Sequence, residues 1–455
     1  MAALAAHDVR RSRPPQLIRA KTIVTCDADV AQNGVTFQQL GRIDDAAMLC
    51  FGGYVDAIGP RAEVEALLED LPARFNAHVA RIRERVGVTP ALLFPRDNGR
   101  ATLEEIDLGD RVVVPGFVDA HAHPLFAGER ERDFAARQRG EQPPQGMAHT
   151  IARTRTALAD GQAFFDRIVR PRLVAMLAHG TTTLETKTGY ALDRDGEFEL
   201  LAMIRTYMRD PALPRLVPTF LGAHALPPEF ADADAFIDHL IERCLPEAKQ
   251  HGAIYADAFC EAGFFSPVQV RRYLEAARAA GLRLRVHCDE MSYGGAAAMA
   301  VDLGVDAVDH CNFIDDRDVT AIARAGIVTV ACPATIDYLG LARRAPVRAL
   351  LERGGRVALA SDYNPGTSPC FNLQTVAHLG RTLFGLSAAE ALDGVTRAAA
   401  ASLHMPVGRL RVDGPADFVA LRIGDPEDFG WEFGGNLAEY VGRGGEIMPS
   451  PWAGP

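Results

Sequence analysis

Two histidines one residue apart, His121 and His123, close a short apolar run and are the first residues of this 455-residue chain that can do chemistry together. In an extended strand, residues two apart face the same side, so the pair can present two imidazoles to one ion. Three more histidines, His224, His287 and His310, and one aspartate, Asp362, stand at the ends of other β-type runs. Five of only 13 histidines thus fall at expected strand ends. Any one of them alone is as readily a hydrogen-bonded histidine near a helix terminus. Three histidines and an aspartate on one rim make a mixed nitrogen and oxygen donor set, suited to Zn²⁺ or Fe²⁺ rather than Ca²⁺ or Mg²⁺. Such an ion lowers the pKa of bound water from about 15.7 towards about 7. Asp362 would ligate weakly, take the proton of that water and return it to a leaving group. That is metal-assisted hydrolysis of an amide-like carbon.

Positioning these residues requires an alternation of strands and helices. Eight candidate strands are legible, at 112–119, 181–187, 215–222, 255–261, 282–288, 305–310, 327–332 and 356–361. Each except the last is followed by a helical pattern, as at 268–280. Eight repeats over about 280 residues predict an α/β fold, a (β/α)8 TIM-type barrel, which places catalytic residues at the carboxyl ends of its strands. A doubly wound sheet is the alternative, but no GxGxxG opens a helix. Further strands at 17–27, 48–60 and 417–423, outside the barrel repeat, predict a small β-sandwich domain built from both termini. The expected division is 1–110 for the first part of the sandwich, 111–404 for the barrel and 405–455 for the rest of the sandwich. Residues 62–88 carry a helical pattern, and an arginine-rich insertion is expected near 74–104.

With 48 basic and 59 acidic residues the formal charge is −11, which repels a polyphosphate backbone and argues against nucleic-acid binding. Only three of the basic residues are lysines: Lys21, Lys187 and Lys249. Eight scattered cysteines without a CxxC pair suit a reducing compartment. No apolar run reaches the roughly 18 residues of a membrane span. The arginine-bearing start, residues 1–20, lacks the apolar segment of a secretory signal. A cytoplasmic enzyme with no membrane or nucleic-acid partner is the expectation, and a homodimer the common form of such enzymes.

The run PGFVDAHAH (115–123), followed by His287, His310 and Ser361-Asp362, resembles the amidohydrolase superfamily. Within it, HPLFAGERERDFAARQRG (123–140), ETKTGYAL (185–192), TFLGAHALP (219–227), VHCDE (286–290) and SDYNPGTSP (361–369) resemble the imidazolonepropionases. The resemblance implies one Zn²⁺ or Fe ion per subunit, held by His121, His123, His287 and Asp362. Dinuclear relatives carry a carboxylated lysine at the end of strand four. This strand reads YADAFCEAG, with Glu261 there, so one ion is expected. Lys187 would orient partners or serve the structure. The implied reaction is hydrolysis of a cyclic amide C–N bond, 4-imidazolone-5-propanoate plus water giving N-formimino-L-glutamate, a step of histidine degradation.

The substrate tail is a carboxylate, which a guanidinium fork grips best. Arg130 matches the family's substrate-binding arginine, although Arg132 and Arg137 stand in the same charged stretch and a surface role is the alternative. Tyr190 and His224 match further substrate contacts, His224 placed to hydrogen-bond or polarise the ring. Asn364, Gly366 and Thr367 match the loop that holds the product's amide end, or form simply a turn. Glu290 would bond a ring nitrogen or shuttle a proton; the alternative is a carboxylate at a helix start. His310 would stabilise an oxyanion or position water. The chain departs from the family at Ala191, Thr367, Cys288 and Cys311; the two cysteines are read as small buried apolar residues. Hydrolysis of another cyclic amide, deamination of an amino-heterocycle, and an inactive barrel kept as a binding or assembly protein remain the rival readings.

Overall fold

The computed structural model describes residues 14–86, 96–97 and 100–449. The arginine-bearing start up to residue 13 and much of the expected insertion, 87–95 and 98–99, lie outside the described residues. Eight parallel strands follow one another around a sheet: β1 (Phe117–Asp119), β2 (Thr181–Lys187), β3 (Arg215–Ala223), β4 (Tyr255–Cys260), β5 (Arg283–Cys288), β6 (Ala307–His310), β7 (Val328–Ala331) and β8 (Arg356–Leu359). Closure between β8 and β1 comes just past the strand ends. The Asp362 amide donates to the His121 carbonyl at 2.9 Å, and the His123 amide donates to the Tyr363 carbonyl at 2.9 Å. The seam that closes the barrel therefore also fixes the backbones of His121, His123 and Asp362 against each other.

Alternation along the strands sorts their side chains into two environments. Leu184, Phe220, Val286 and Val308 point outward and pack under the helices. The inward positions stack in layers. At the bottom Val118, Val217, Tyr255, Ala307, Val330 and Ala358 form an apolar floor, plugged by Ala398 and Ala399 of the helix Arg397–Ser402. Above the floor lies a wholly buried ionic layer of Glu185, Lys187, Asp257, Arg285 and Asp309. The histidine cluster sits on top of it.

Both termini build a second, eight-stranded sheet from Gln16–Val24, Arg42–Phe51, Tyr54–Pro60, Glu104–Asp107, Val112–Pro115, Phe418–Leu421, Ala438–Arg443 and Glu446–Pro449. One apolar cluster, including Ile18, Met48, Val55, Val113 and Phe418, lies inside its curl. The ends of the curl meet closely: a Cβ on Gly53 would lie 2.6 Å from the Gly444 carbonyl carbon. On the outer face, Leu17, Leu49 and Phe51 pack against Leu71 and Phe75 of the helix Leu71–Val86.

Two sequence expectations need correction. The run 112–119 is not one barrel strand: Val112–Pro115 pairs with the terminal strands Gln16–Val24 and Phe418–Leu421, and only Phe117–Asp119 enters the barrel. Gly116 makes the transfer, where a Cβ would lie 2.2 Å from Thr182 Oγ1. The run 48–60, read as a strand with a glycine turn, is the two arms of a hairpin, and its turn falls at Gly52-Gly53, both with positive φ.

Candidate active site

Four side chains converge at the carboxyl rim. His121 Nε2 and His123 Nε2 lie 3.2 Å apart, and both face Asp362 Oδ1, at 3.4 and 3.3 Å. His287 joins the two histidines with its own ring nitrogen within 4.8 Å. The far nitrogens explain this arrangement. His121 Nδ1 faces Asp309 Oδ2 at 3.0 Å and His287 Nδ1 faces Asp257 Oδ2 at 3.1 Å. A carboxylate at Nδ1 keeps the proton there and turns the Nε2 lone pair to the centre. Bare imidazole nitrogens and a carboxylate oxygen packed this closely repel one another unless a cation lies between them. The donor set therefore fits a divalent metal ion, and its three nitrogens and one oxygen fit Zn²⁺ or Fe²⁺.

Each ligand candidate is held from behind. Thr335 donates to Asp362 Oδ2 at 2.7 Å. Burial opposes ionisation of Asp362, but the flanking imidazoles of His121 and His123 hold its carboxyl well below the usual range. Asp119, at the end of β1, accepts from the Ser361 amide at 3.0 Å and ties β1 to the start of the Asp362 loop. His310 and Asp362 both have left-handed backbones, with φ of 67° and 50°; such strain collects where side-chain aim matters.

A cavity of about 270 Å³ opens over the cluster, lined by His123, Arg130, Arg137, Tyr190, His224, His287, Glu290, His310, Asp362, Asn364 and Thr367 among others. It brings the sequence-derived site residues together, with Gly366 just behind the wall. His224 is a neutral imidazole, its pKa pushed down to about 3 by burial and His287. Its Nδ1 donates to the Gly189 carbonyl at 2.8 Å, so Nε2 can only accept. His224 is therefore placed to take a ring N–H rather than to polarise a carbonyl. Its ring stacks on His123 at 5.3 Å. Tyr190 rides on a loop anchored by Glu197, which accepts from the amides of Gly189, Ala191 and Leu192.

Glu290 is buried in the loop before the helix Ala296–Leu303, so the helix-start reading does not hold. Burial, Asp362 and Glu261 push its carboxyl well above the ordinary range. His310 Nε2 lies 3.8 Å from Glu290 Oε2. Burial drives His310 down to about 3, and neither ring nitrogen has a hydrogen-bond partner among the described residues. A neutral, unpartnered imidazole at a cavity wall is free to meet a ligand.

Arg130 also lines the cavity, its Nε 3.1 Å from Asp133. Its guanidinium covers Gly366, where a Cβ would lie 2.1 Å from an Nη atom. Gly366 thus makes room for the arginine. Asn364 is satisfied within its own turn: Oδ1 accepts from the amides of Gly366 and Thr367, each at 2.8 Å, and Nδ2 donates to the Asp362 carbonyl. The turn reading of Asn-Pro-Gly is correct, and it serves to shape the cavity wall.

A profile of the Amidohydrolase family matches residues 248–447. The imidazolonepropionase of Pseudomonas entomophila is 36% identical over 412 residues, covering 88% of this chain and 93% of that one. The chain belongs to the imidazolonepropionase family of amidohydrolases. Its similarity to the Sphingopyxis alaskensis imidazolonepropionase is 38% over 339 residues, covering 72% of this chain and 83% of that one. Among solved structures, a triazine hydrolase variant superposes with a TM-score of 0.65 at 17% identity, over 96% of this chain and 95% of that one, a likeness of fold.

Several contributors to this imidazolonepropionase-family site escaped the sequence reading. Asp257 and Asp309 occupy inward positions of β4 and β6, two residues past the first residue of each strand; strand alternation gives their inward facing but not the histidines they meet. Arg137 reaches the cavity from the helix Glu131–Gln138, donating to the Gly366 carbonyl at 2.8 Å. Cys288 and Cys311 are buried thiols, as small apolar residues would be. No described helix is long and apolar enough to cross a membrane.

Proposed function

We propose that this chain hydrolyses 4-imidazolone-5-propanoate to N-formimino-L-glutamate, adding one water across the ring C–N bond, with one Zn²⁺ or Fe ion per subunit. The observation that carries the reading is the lining of one cavity, which holds both members of a histidine–aspartate cluster and the Arg130 side chain. A small cyclic amide with a carboxylate tail spans these two features. A divalent ion held by His121, His123, His287 and Asp362 supplies Lewis acidity, lowering the pKa of water and polarising the ring carbon.

The chain's own residues supply the rest. Arg130 binds the tail carboxylate, and Tyr190 closes over the ring. His224 accepts a ring N–H at Nε2. Asp362 takes the proton of the attacking water. His310 donates to the oxygen on which charge develops, which requires its hydrogen to face the cavity. Glu290, protonated, delivers its hydrogen to the departing ring nitrogen and recovers one from Asp362. A cytoplasmic setting and a homodimer belong to the same reading.

The test follows imidazolone absorbance and formimino-glutamate formation beside ammonia release from amino-heterocycles and turnover of cyclic amides without a carboxylate. Turnover confined to the carboxylated imidazolone supports the reading. Preference for a neutral cyclic amide, or ammonia release from an amino-heterocycle, overturns it.

A further inference from the structure

Lys187 is one of three lysines in the chain and is completely buried, beneath the histidine cluster. Its Nζ lies 2.6 Å from Asp257 Oδ2, 2.8 Å from Glu185 Oε1 and 3.7 Å from Asp309 Oδ2. Two of those oxygens also face ring nitrogens of the histidine cluster. Asp257 Oδ2 faces His287 Nδ1 at 3.1 Å, and Asp309 Oδ2 faces His121 Nδ1 at 3.0 Å. One ammonium therefore holds, from behind, the carboxylate oxygens that orient two ligand histidines on different strands.

The chemistry of the residue fits this task. An ammonium is a compact point charge whose three hydrogens diverge to separate acceptors, whereas a guanidinium is a planar fork matched to one carboxylate. The layer holds both kinds. Arg285 takes the other oxygen of Asp309 at 2.8 Å and the Ala120 carbonyl at 2.9 Å, bracing Asp309 from the floor. Of the two cations in the layer, Lys187 is the one within 3.7 Å of both Asp257 and Asp309. An ammonium buried this deeply carries a desolvation cost of several kcal/mol, so a merely space-filling role is better served by an apolar chain.

We propose that Lys187 is a positioning residue of the metal centre, fixing His121 and His287 as Nε2 donors through Asp309 and Asp257. The inference rests on the proposed mononuclear centre, and the two can fail separately.

The experiment measures zinc affinity by chelator competition, and melting temperature with and without zinc, for wild type, Lys187→Met, Asp309→Asn and the double variant. Changes to groups that orient metal ligands cost roughly 10- to 100-fold in metal affinity. Lys187→Met is expected to weaken zinc by that factor and to shrink the zinc-induced rise in melting temperature. Because both residues act on His121 along one route, the double variant is expected to lose little more than the worse single. Wild-type zinc affinity in Lys187→Met overturns the proposal, as does a parallel fall of both melting temperatures with affinity unchanged. Should Lys187→Met not fold, Lys187→Gln, which keeps one donor, carries the same expectation with a smaller loss. A wild-type chain that fails to bind zinc or iron defeats the centre itself rather than the role of Lys187.

Discussion

The carboxyls of Glu290 and Asp362 line the same cavity with pKa values pushed in opposite directions, and the difference between their surroundings suits them to opposite duties. Asp362 lies against two imidazoles; Glu290 has burial and two carboxylate neighbours. Glu290→Gln keeps the shape and removes the transferable proton, so kcat is expected to fall roughly 10²- to 10⁴-fold with KM little changed. The sign of the pH effect follows from the raised pKa: the needed proton is present below it and lost as pH rises through it. Wild-type kcat should show an alkaline decline that the residual activity of Glu290→Gln lacks, readable in a pH profile of both. Arg130→Ala is expected to lower kcat/KM for the carboxylated substrate roughly 10- to 100-fold, the worth of a charged hydrogen bond. Unchanged kcat/KM would show that the tail lies elsewhere.

At the level of elements, Gly116 decides which sheet a strand joins. Gly116→Ala sets a Cβ against Thr182, and such overpacking costs typically about 1–3 kcal/mol, measurable by denaturant unfolding. The helix Leu71–Val86 is pinned to the terminal sheet through Asp56, which Arg74 and Arg81 each approach to 2.7 Å. Burial alone would raise the Asp56 pKa, yet bonds from His78, Arg74 and Arg81 hold it at about 2. A depressed carboxyl stabilises the fold above its unfolded pKa, and that contribution, about 2 kcal/mol, is lost as pH falls from about 4 through about 2. Asp56→Asn should remove this acid-dependent part of the unfolding curve. The eight barrel strands were legible because each is a short apolar run bounded by turns and followed by a helical period. The break at Gly116 was not, since valines continue on both sides and a change of sheet leaves no mark in propensity. The rim residues His121, His123, His287 and Asp362 could be read from their strand-end positions. Asp257, Asp309 and Arg137 could not, because an inward acid or a reaching arginine looks like any surface charge until neighbouring strands are in place.

For the whole molecule, the stack of apolar floor, ionic layer and histidine cluster makes the barrel, on the proposed function, a device for holding one cation beneath the cavity that Arg130 lines. The terminal sheet belongs to the same device, because Val112–Pro115 hands the chain directly to β1 and so to His121. The most direct test is to strip the purified chain with a chelator and return zinc or iron in measured amounts while following imidazolone ring opening. Activity should be absent after stripping and rise linearly to a plateau at one ion per chain. Full turnover in the stripped protein, or a plateau reached only at two ions, would contradict the account.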